Sequence, residues 1–192
     1  TTSCLLDTQK ESLLKEIVNI YLNQIRISWD KYPHDEVLWK DLFKNLKKSI
    51  LALSLAGGIN LSINEVHMGF HEWLVNIINA IFDLEDKDKK EELKNAYFKL
   101  LERWSDYLLD LARDTGLENK QMGLPIIQSV QNNLRIIYGI KHRFEDDVKK
   151  IYATQFNILS WYFSKTEKVE ESFLFNLEQV EETLLREIAS NL

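Results

Sequence analysis

Two prolines and six glycines are all that punctuate this chain of 192 residues. Tight turns draw on both residue types, glycine for its backbone freedom and proline for its fixed φ. A chain with so few of them has to travel in long straight elements with few reversals. Its abundant Leu, Ile, Lys and Glu favour helices for those elements.

Helix starts and stops can then be placed. Thr8 and Glu11 form a T-x-x-E capping box ahead of Leu13, Leu14, Ile17, Val18, Tyr21 and Ile25, which recur at helical spacing. This predicts a first helix over about 8–30, ended by Pro33. Asp35 is placed to cap a second helix with the stripe Leu38, Leu42, Leu46 and Ile50, Trp39 and Phe43 beside it, and Gly57-Gly58 as its stop. Ser62 and Glu65 form another capping box. It opens a third helix whose face is Val66, Phe70, Leu74, Ile77 and Ile81, with Ile63 leading in. The run DLEDKDKKEE (83–92) reads as a solvated connection and the first turn of a fourth helix, carrying Leu93, Tyr97, Leu100, Leu101, Trp104, Leu108 and Leu111 to a stop near Gly116.

The segment TGLENKQMGL (115–124) is the best candidate for an internal joint. Pro125 suits the first turn of a fifth helix, in which apolar spacing runs from Ile127 to Leu159 and Gly139 either bends the helix or admits a close neighbour. A third S-x-x-E at Ser164 and Glu167 leads into a sixth, with the face Val169, Phe173, Leu177, Val180, Leu184 and Ile188. The expected fold is all-α: a bundle of about six helices, with 1–116 as the bundle and 117–192 as a long C-terminal hairpin packed on it in the same domain. If that hairpin extends past the first four helices, it leaves apolar surface for a second subunit. The expectation is therefore a homodimer.

Charge narrows the partners. The formal net charge is −6, and Lys and Arg are interspersed with acids, so the concentrated basic face of a nucleic-acid binder is missing. The most apolar stretch, 50–59, falls far short of the roughly 20 residues of a membrane span. The single cysteine, Cys4, cannot form an internal disulfide, which fits a reducing compartment. The first twelve residues are mostly polar and carry no secretory leader pattern. A cytoplasmic protein is expected.

Enzyme signatures are scarce. The chain has no phosphate-binding glycine loop, no G-x-S-x-G, no E-x-x-H and no H-E-x-x-H; His71-Glu72 lacks the second histidine. Cys4 as a nucleophile would lack an orienting base. No catalytic residue is assigned and no cofactor is expected. His67 and His71 remain, four residues apart and so on one helix face. Two readings of them stand. In one they are two ligands of a metal site, completed by His34, His142 or Cys4, or one of them is the axial ligand of a haem. In the other, His67 hydrogen-bonds between helices and His71 lies on a solvent-facing flank. The cluster KHRFEDD (141–147) reads as salt-bridged helix surface, or else a docking patch. The five tryptophans fall near apolar stripes as core anchors, and Trp161, Tyr162 and Phe163 form a denser cluster that is a candidate interface.

One stretch carries a resemblance. INLSINEVHMGFHEWLVNIINAIF, an acidic loop and EELKNAYFKLLERWSDYLLDLAR together resemble a helical hairpin of the N-terminal domain of RsbU-type phosphatases and of the C-terminal domain of the clock protein KaiA. Ile59, Leu61, Ser62, Val66, His67 and Met68 match best, with Glu65 as the capping acid, and the resemblance covers about residues 36–115. It implies a dimeric four-helix module that binds a regulatory protein and alters a partner's phosphorylation chemistry without catalysing it, with His67 as a structural member of the hairpin. Three functions follow as expectations: a regulatory or adaptor protein acting by protein–protein contact, a metal- or haem-binding helical protein centred on His67 and His71, or a coat protein of a hydrophobic surface.

Overall fold

The computed structural model describes residues 2–55 and 62–114. These form four α-helices: α1 (Thr2–Lys31), α2 (Glu36–Leu55), α3 (Ser62–Phe82) and α4 (Lys87–Asp114), with no strand among the described residues. The predicted fifth and sixth helices, the C-terminal hairpin and the boundary at 116 lie outside the described residues, as do Gly57 and Gly58.

The helix ends at the two described turns have a chemical cause. Pro33 sits in the turn after α1, and Asp35 then caps α2, its Oδ1 accepting from the Leu38 amide at 3.1 Å. The charged run resolves into a short turn in which Asp86 caps α4, accepting from the amides of Asp88 (3.0 Å) and Lys89 (3.1 Å). Lys90 reaches back to the carbonyls of Phe82 and Leu84, placing a cation on the unpaired oxygens that end α3. One capping prediction does not hold: α1 begins at Thr2, so Thr8 lies within the helix and starts nothing. A T-x-x-E spacing puts the two side chains one turn apart anywhere along a helix. It caps only where the upstream backbone is not helical.

The helices pair as α1 with α2 and α3, and α4 with α2 and α3, which leaves α1–α4 and α2–α3 across the two diagonals. Side chains give the directions. Trp29 stacks on Trp39 across the antiparallel α1–α2 hairpin, with centroids 5.9 Å apart. Lys15 pairs with Glu65 and Trp29 meets Trp73 edge-on, so α1 and α3 run the same way. Glu36 with Arg103 (3.1 Å) and Lys47 with Asp114 (2.8 Å) make α2 and α4 parallel as well. Two helical hairpins therefore lie side by side with both turns at one end.

The core is a column of Leu14, Val18, Leu22, Ile25 and Trp29 against Trp39, Phe43, Leu46 and Ile50, closed by Val66, Phe70, Leu74 and Ile78 and by Tyr97, Leu101, Trp104 and Leu108. Each large apolar side chain buried there contributes roughly 1.5–3 kcal/mol. The predicted stripes were right in period and partly wrong in phase. Leu13 and Leu38 are 47% and 39% exposed, while Leu22, absent from the predicted stripe, is buried. A strict four-residue line such as Leu38–Leu42–Leu46–Ile50 drifts about 40° per step around a helix of 3.6 residues per turn. It starts outside and winds into the core, whereas 39, 43, 46 and 50 stay on the buried face. No helix among the described residues is long and apolar enough to cross a membrane.

Candidate functional site: a buried imidazole–aromatic centre

α3 and α4 face each other antiparallel, and their contact holds the most unusual chemistry among the described residues. His67 and His71 are 0% and 3% exposed. The spacing on α3 that put them on one face also put them beside Val66, Phe70 and Leu74, so the face is the core face. His67 Nε2 lies 2.9 Å from the Tyr107 hydroxyl, and the Trp104 indole N–H donates to His71 Nε2 at 3.0 Å. The interhelical hydrogen bond expected of His67 is present. The solvent-flank reading of His71 is overturned, because one helical turn from His67 still lies under α4.

Trp104 is the hub. It meets His67 and His71 edge-on at 5.1 and 5.2 Å, and packs tilted on Phe70 at 4.6 Å, Tyr107 at 5.2 Å and Phe43 at 5.7 Å. Phe43 also meets Phe70 at 6.2 Å, joining α2 and α3 across the diagonal. Beyond Phe70, the Arg26 guanidinium lies 5.6 Å from its ring centroid and 5.9 Å from that of Trp73, a cation–π clamp from α1. Partial burial lowers the Arg26 pKa. A second polar tie is built the same way: the Trp39 indole N–H donates to buried Ser28 at 3.2 Å.

The electrostatics follow from burial. Desolvation, with His71 nearby as a smaller cause, pushes the His67 pKa down to about 3; desolvation alone takes His71 down to about 3. Both imidazoles are neutral at physiological pH. Burial pushes the phenols of Tyr97 and Tyr107 up, so both stay protonated. The indole can only donate, so His71 Nε2 must be the bare nitrogen and its proton sits on Nδ1. That Nδ1–H is buried without a partner, as is the Tyr97 hydroxyl. Arg103 Nε, also short of a well-aligned hydrogen bond, is ion-paired to Glu36 at 3.1 Å.

The arrangement can hold two helices in register; its nitrogens face no open surface. A metal between His67 and His71 would have to displace both the indole and the phenol. Among the described residues no three His, Cys, Asp or Glu side chains gather as a ligand set. His34, proposed as a further ligand, is instead at the bundle's end, 2.8 Å from Glu92. His142, Cys4's side chain, the 141–147 cluster and the candidate interface Trp161, Tyr162 and Phe163 lie outside the description. Of the tryptophans described, Trp29, Trp39 and Trp104 are buried and Trp73 packs against the core. Tyr107 was missed in the sequence because it falls beside the predicted α4 stripe. Its signal was a polar-tipped aromatic one turn from Trp104.

Among the described residues, fold and site define a bundle of four helices pinned by a neutral imidazole–aromatic centre. No family model, curated protein or solved structure matches the chain.

Proposed function

We propose that this chain is a non-catalytic regulatory or adaptor protein that works by binding another protein. The observation that supports this is three exposed apolar side chains at the tip of the α1–α2 hairpin, where Tyr32 is 70%, Val37 74% and Leu38 39% exposed. Exposed aromatic and aliphatic side chains can anchor partner contacts. Pro33, in the same turn, fixes its own φ, and the Asp35 cap orders the chain beside it. Less conformational entropy is then lost on docking. The groups that carry chemistry, His67 and His71, are turned inward. The resemblance of residues 36–115 to the RsbU-type and KaiA hairpins points to a partner in phosphorylation-based signalling.

Sedimentation of the full chain alone and with candidate kinase- or phosphatase-regulating proteins tests the reading. A complex that Val37→Asp weakens at least tenfold is the expected result. Absence of any complex, or a complex indifferent to both Val37→Asp and Tyr32→Ala, would count against it.

A further inference from the structure

The buried centre pairs oxidisable rings with bases. Tyrosine and tryptophan are the side chains that give up a single electron most readily after cysteine. Here Tyr107 and Trp104 each share a hydrogen bond with an imidazole, to His67 Nε2 at 2.9 Å and to His71 Nε2 at 3.0 Å. The Tyr107 hydroxyl makes this one hydrogen bond among the described residues. Were the imidazole the donor, the phenolic O–H would be buried without an acceptor. The phenol therefore donates, and His67 Nε2 is the bare nitrogen.

A file of rings leads to this pair. Trp73, partly buried against the core, meets Phe70 at 5.1 Å; Phe70 meets Trp104 at 4.6 Å, and Trp104 meets Tyr107 at 5.2 Å. Phenylalanine resists oxidation, so Phe70 serves as a bridge between two indoles in close contact with both. The Arg26 guanidinium lies 5.9 Å from the Trp73 ring centroid and 5.6 Å from that of Phe70. A fixed cation repels a positive hole beside it. A hole formed at Trp73 is thereby driven inward, toward Trp104.

We propose that Tyr107 and His67 form a proton-coupled redox site, reached through Trp73 and Trp104 by a one-electron oxidant of the organic peroxyl radical class. The oxidant takes one electron from Trp73 and leaves as the peroxide anion. Trp104 then refills Trp73, and Tyr107 refills Trp104. As the phenol loses its electron its O–H bond breaks, and the proton forms an N–H bond at His67 Nε2. The products are a neutral tyrosyl radical and an imidazolium that hydrogen-bonds it. An oxidised phenol is a far stronger acid than an imidazolium, so the transfer runs downhill even where burial disfavours the charged ring. A thiolate that returns the electron becomes a thiyl radical and sends the proton back to the oxygen. No proton needs to enter or leave the sealed core. The site uses no partner surface and stands apart from the regulatory reading.

Flash photolysis of the full chain with photogenerated ruthenium(III) tris-bipyridine tests this. The expected course is an indolyl radical that converts, at a rate independent of protein concentration, into a long-lived tyrosyl radical. Tyr32, exposed, can also be oxidised, so variants assign the signal. Tyr107→Phe is expected to abolish the long-lived species and Tyr32→Phe to leave it. High-field electron paramagnetic resonance is expected to show the g-tensor of a phenoxyl oxygen that accepts a hydrogen bond, and His67→Leu to remove that signature, which a merely structural histidine would not move. Should His67→Leu unfold, imidazole nitrogen chemical shifts of the parent chain decide: a protonated His67 Nε2 in the resting state overturns the proposal. A long-lived tyrosyl signal that survives Tyr107→Phe overturns it too, as does a radical that stays on indole.

Discussion

His67 on α3 and Tyr107 on α4 share a 2.9 Å hydrogen bond entirely sealed from water, although forty residues separate them. A buried polar pair of this kind stabilises little in net terms and costs much when halved. It also selects register: sliding α4 by one residue against α3 would strand both groups in an apolar core. Tyr107→Phe keeps the ring that stacks on Phe43 and removes only the hydroxyl. It is expected to destabilise the fold by about 1–2 kcal/mol. Urea denaturation with an unchanged m-value checks this, and a change below about 0.3 kcal/mol would remove the bond from any structural role.

Trp104 and His71 make a sharper case because the direction of their bond is fixed. Trp104→Phe leaves the His71 Nε2 lone pair bare in the core and opens space in the hub; His71→Leu leaves the indole N–H bare. Each is expected to cost about 2–4 kcal/mol. The double variant is expected to cost less than the sum by about 1–3 kcal/mol, because it removes both atoms that the single variants leave orphaned. Additive losses in a double-mutant cycle would mean the two residues act only as separate fillers.

The pair also sets an acid sensitivity. Both histidines have a folded pKa of about 3, against 6.5 when exposed. Between those values the unfolded chain binds protons that the folded chain refuses, so stability is full above pH 6.5 and falls as the pH drops. The slope is about 1.4 kcal/mol per pH unit for each histidine. Its upper part, from about pH 6.5 to 5, lies above the ordinary carboxylate range and reports on imidazole. Denaturant midpoints across that range are expected to fall steeply in the parent chain and about half as steeply in His71→Leu. A flat profile in the parent would mean that the imidazoles take up protons while folded.

The same geometry argues about metal. Both Nε2 atoms are engaged, and protein would have to give up two buried hydrogen bonds to free them. Added zinc is expected to move the melting temperature by less than about 1 °C, and cobalt to give no ligand-field absorption. Haem is expected to show no shifted absorption on mixing. A saturable signal that His71→Leu abolishes would restore the ligand reading of His67 and His71.

Much of this could be read along the chain. Pro33 and Asp35 fall where a helix ends or begins, and the charged run is a turn followed by the first residues of α4. Local chemistry settles such features within a few residues. The face of α3 was legible too, since Val66, Phe70 and Leu74 keep the period of its core. What stayed hidden depends on neighbours. Leu38 and Trp39 are equally apolar next to each other, and only the angle at which α1 and α4 approach decides which is buried. His71 was set on a flank because imidazole is polar, yet a donor on another helix makes burial tolerable. Folding the α3–α4 hairpin about its turn brings the histidines to within a turn or two of Trp104 and Tyr107. Choosing between those two partners needs the tilt of the helices.

The turn that makes this register is itself held by Asp86, whose carboxylate takes two amides at the start of α4. Asp35 takes one at the start of α2. Each satisfies donors that helical bonding leaves open and places a negative charge at the positive end of the helix dipole. Asp86→Ala is expected to cost about 1 kcal/mol, and Asp35→Ala a similar or smaller amount. Asp86→Asn, which keeps the acceptor and drops the charge, should recover most of the loss. Because α4 carries both Trp104 and Tyr107, loosening its first turn is also expected to speed amide exchange toward its N-terminus before the level of the histidines is reached. Hydrogen exchange resolved by residue checks that order. Uniform loss of protection along α4 would mean that the turn and the buried centre open together.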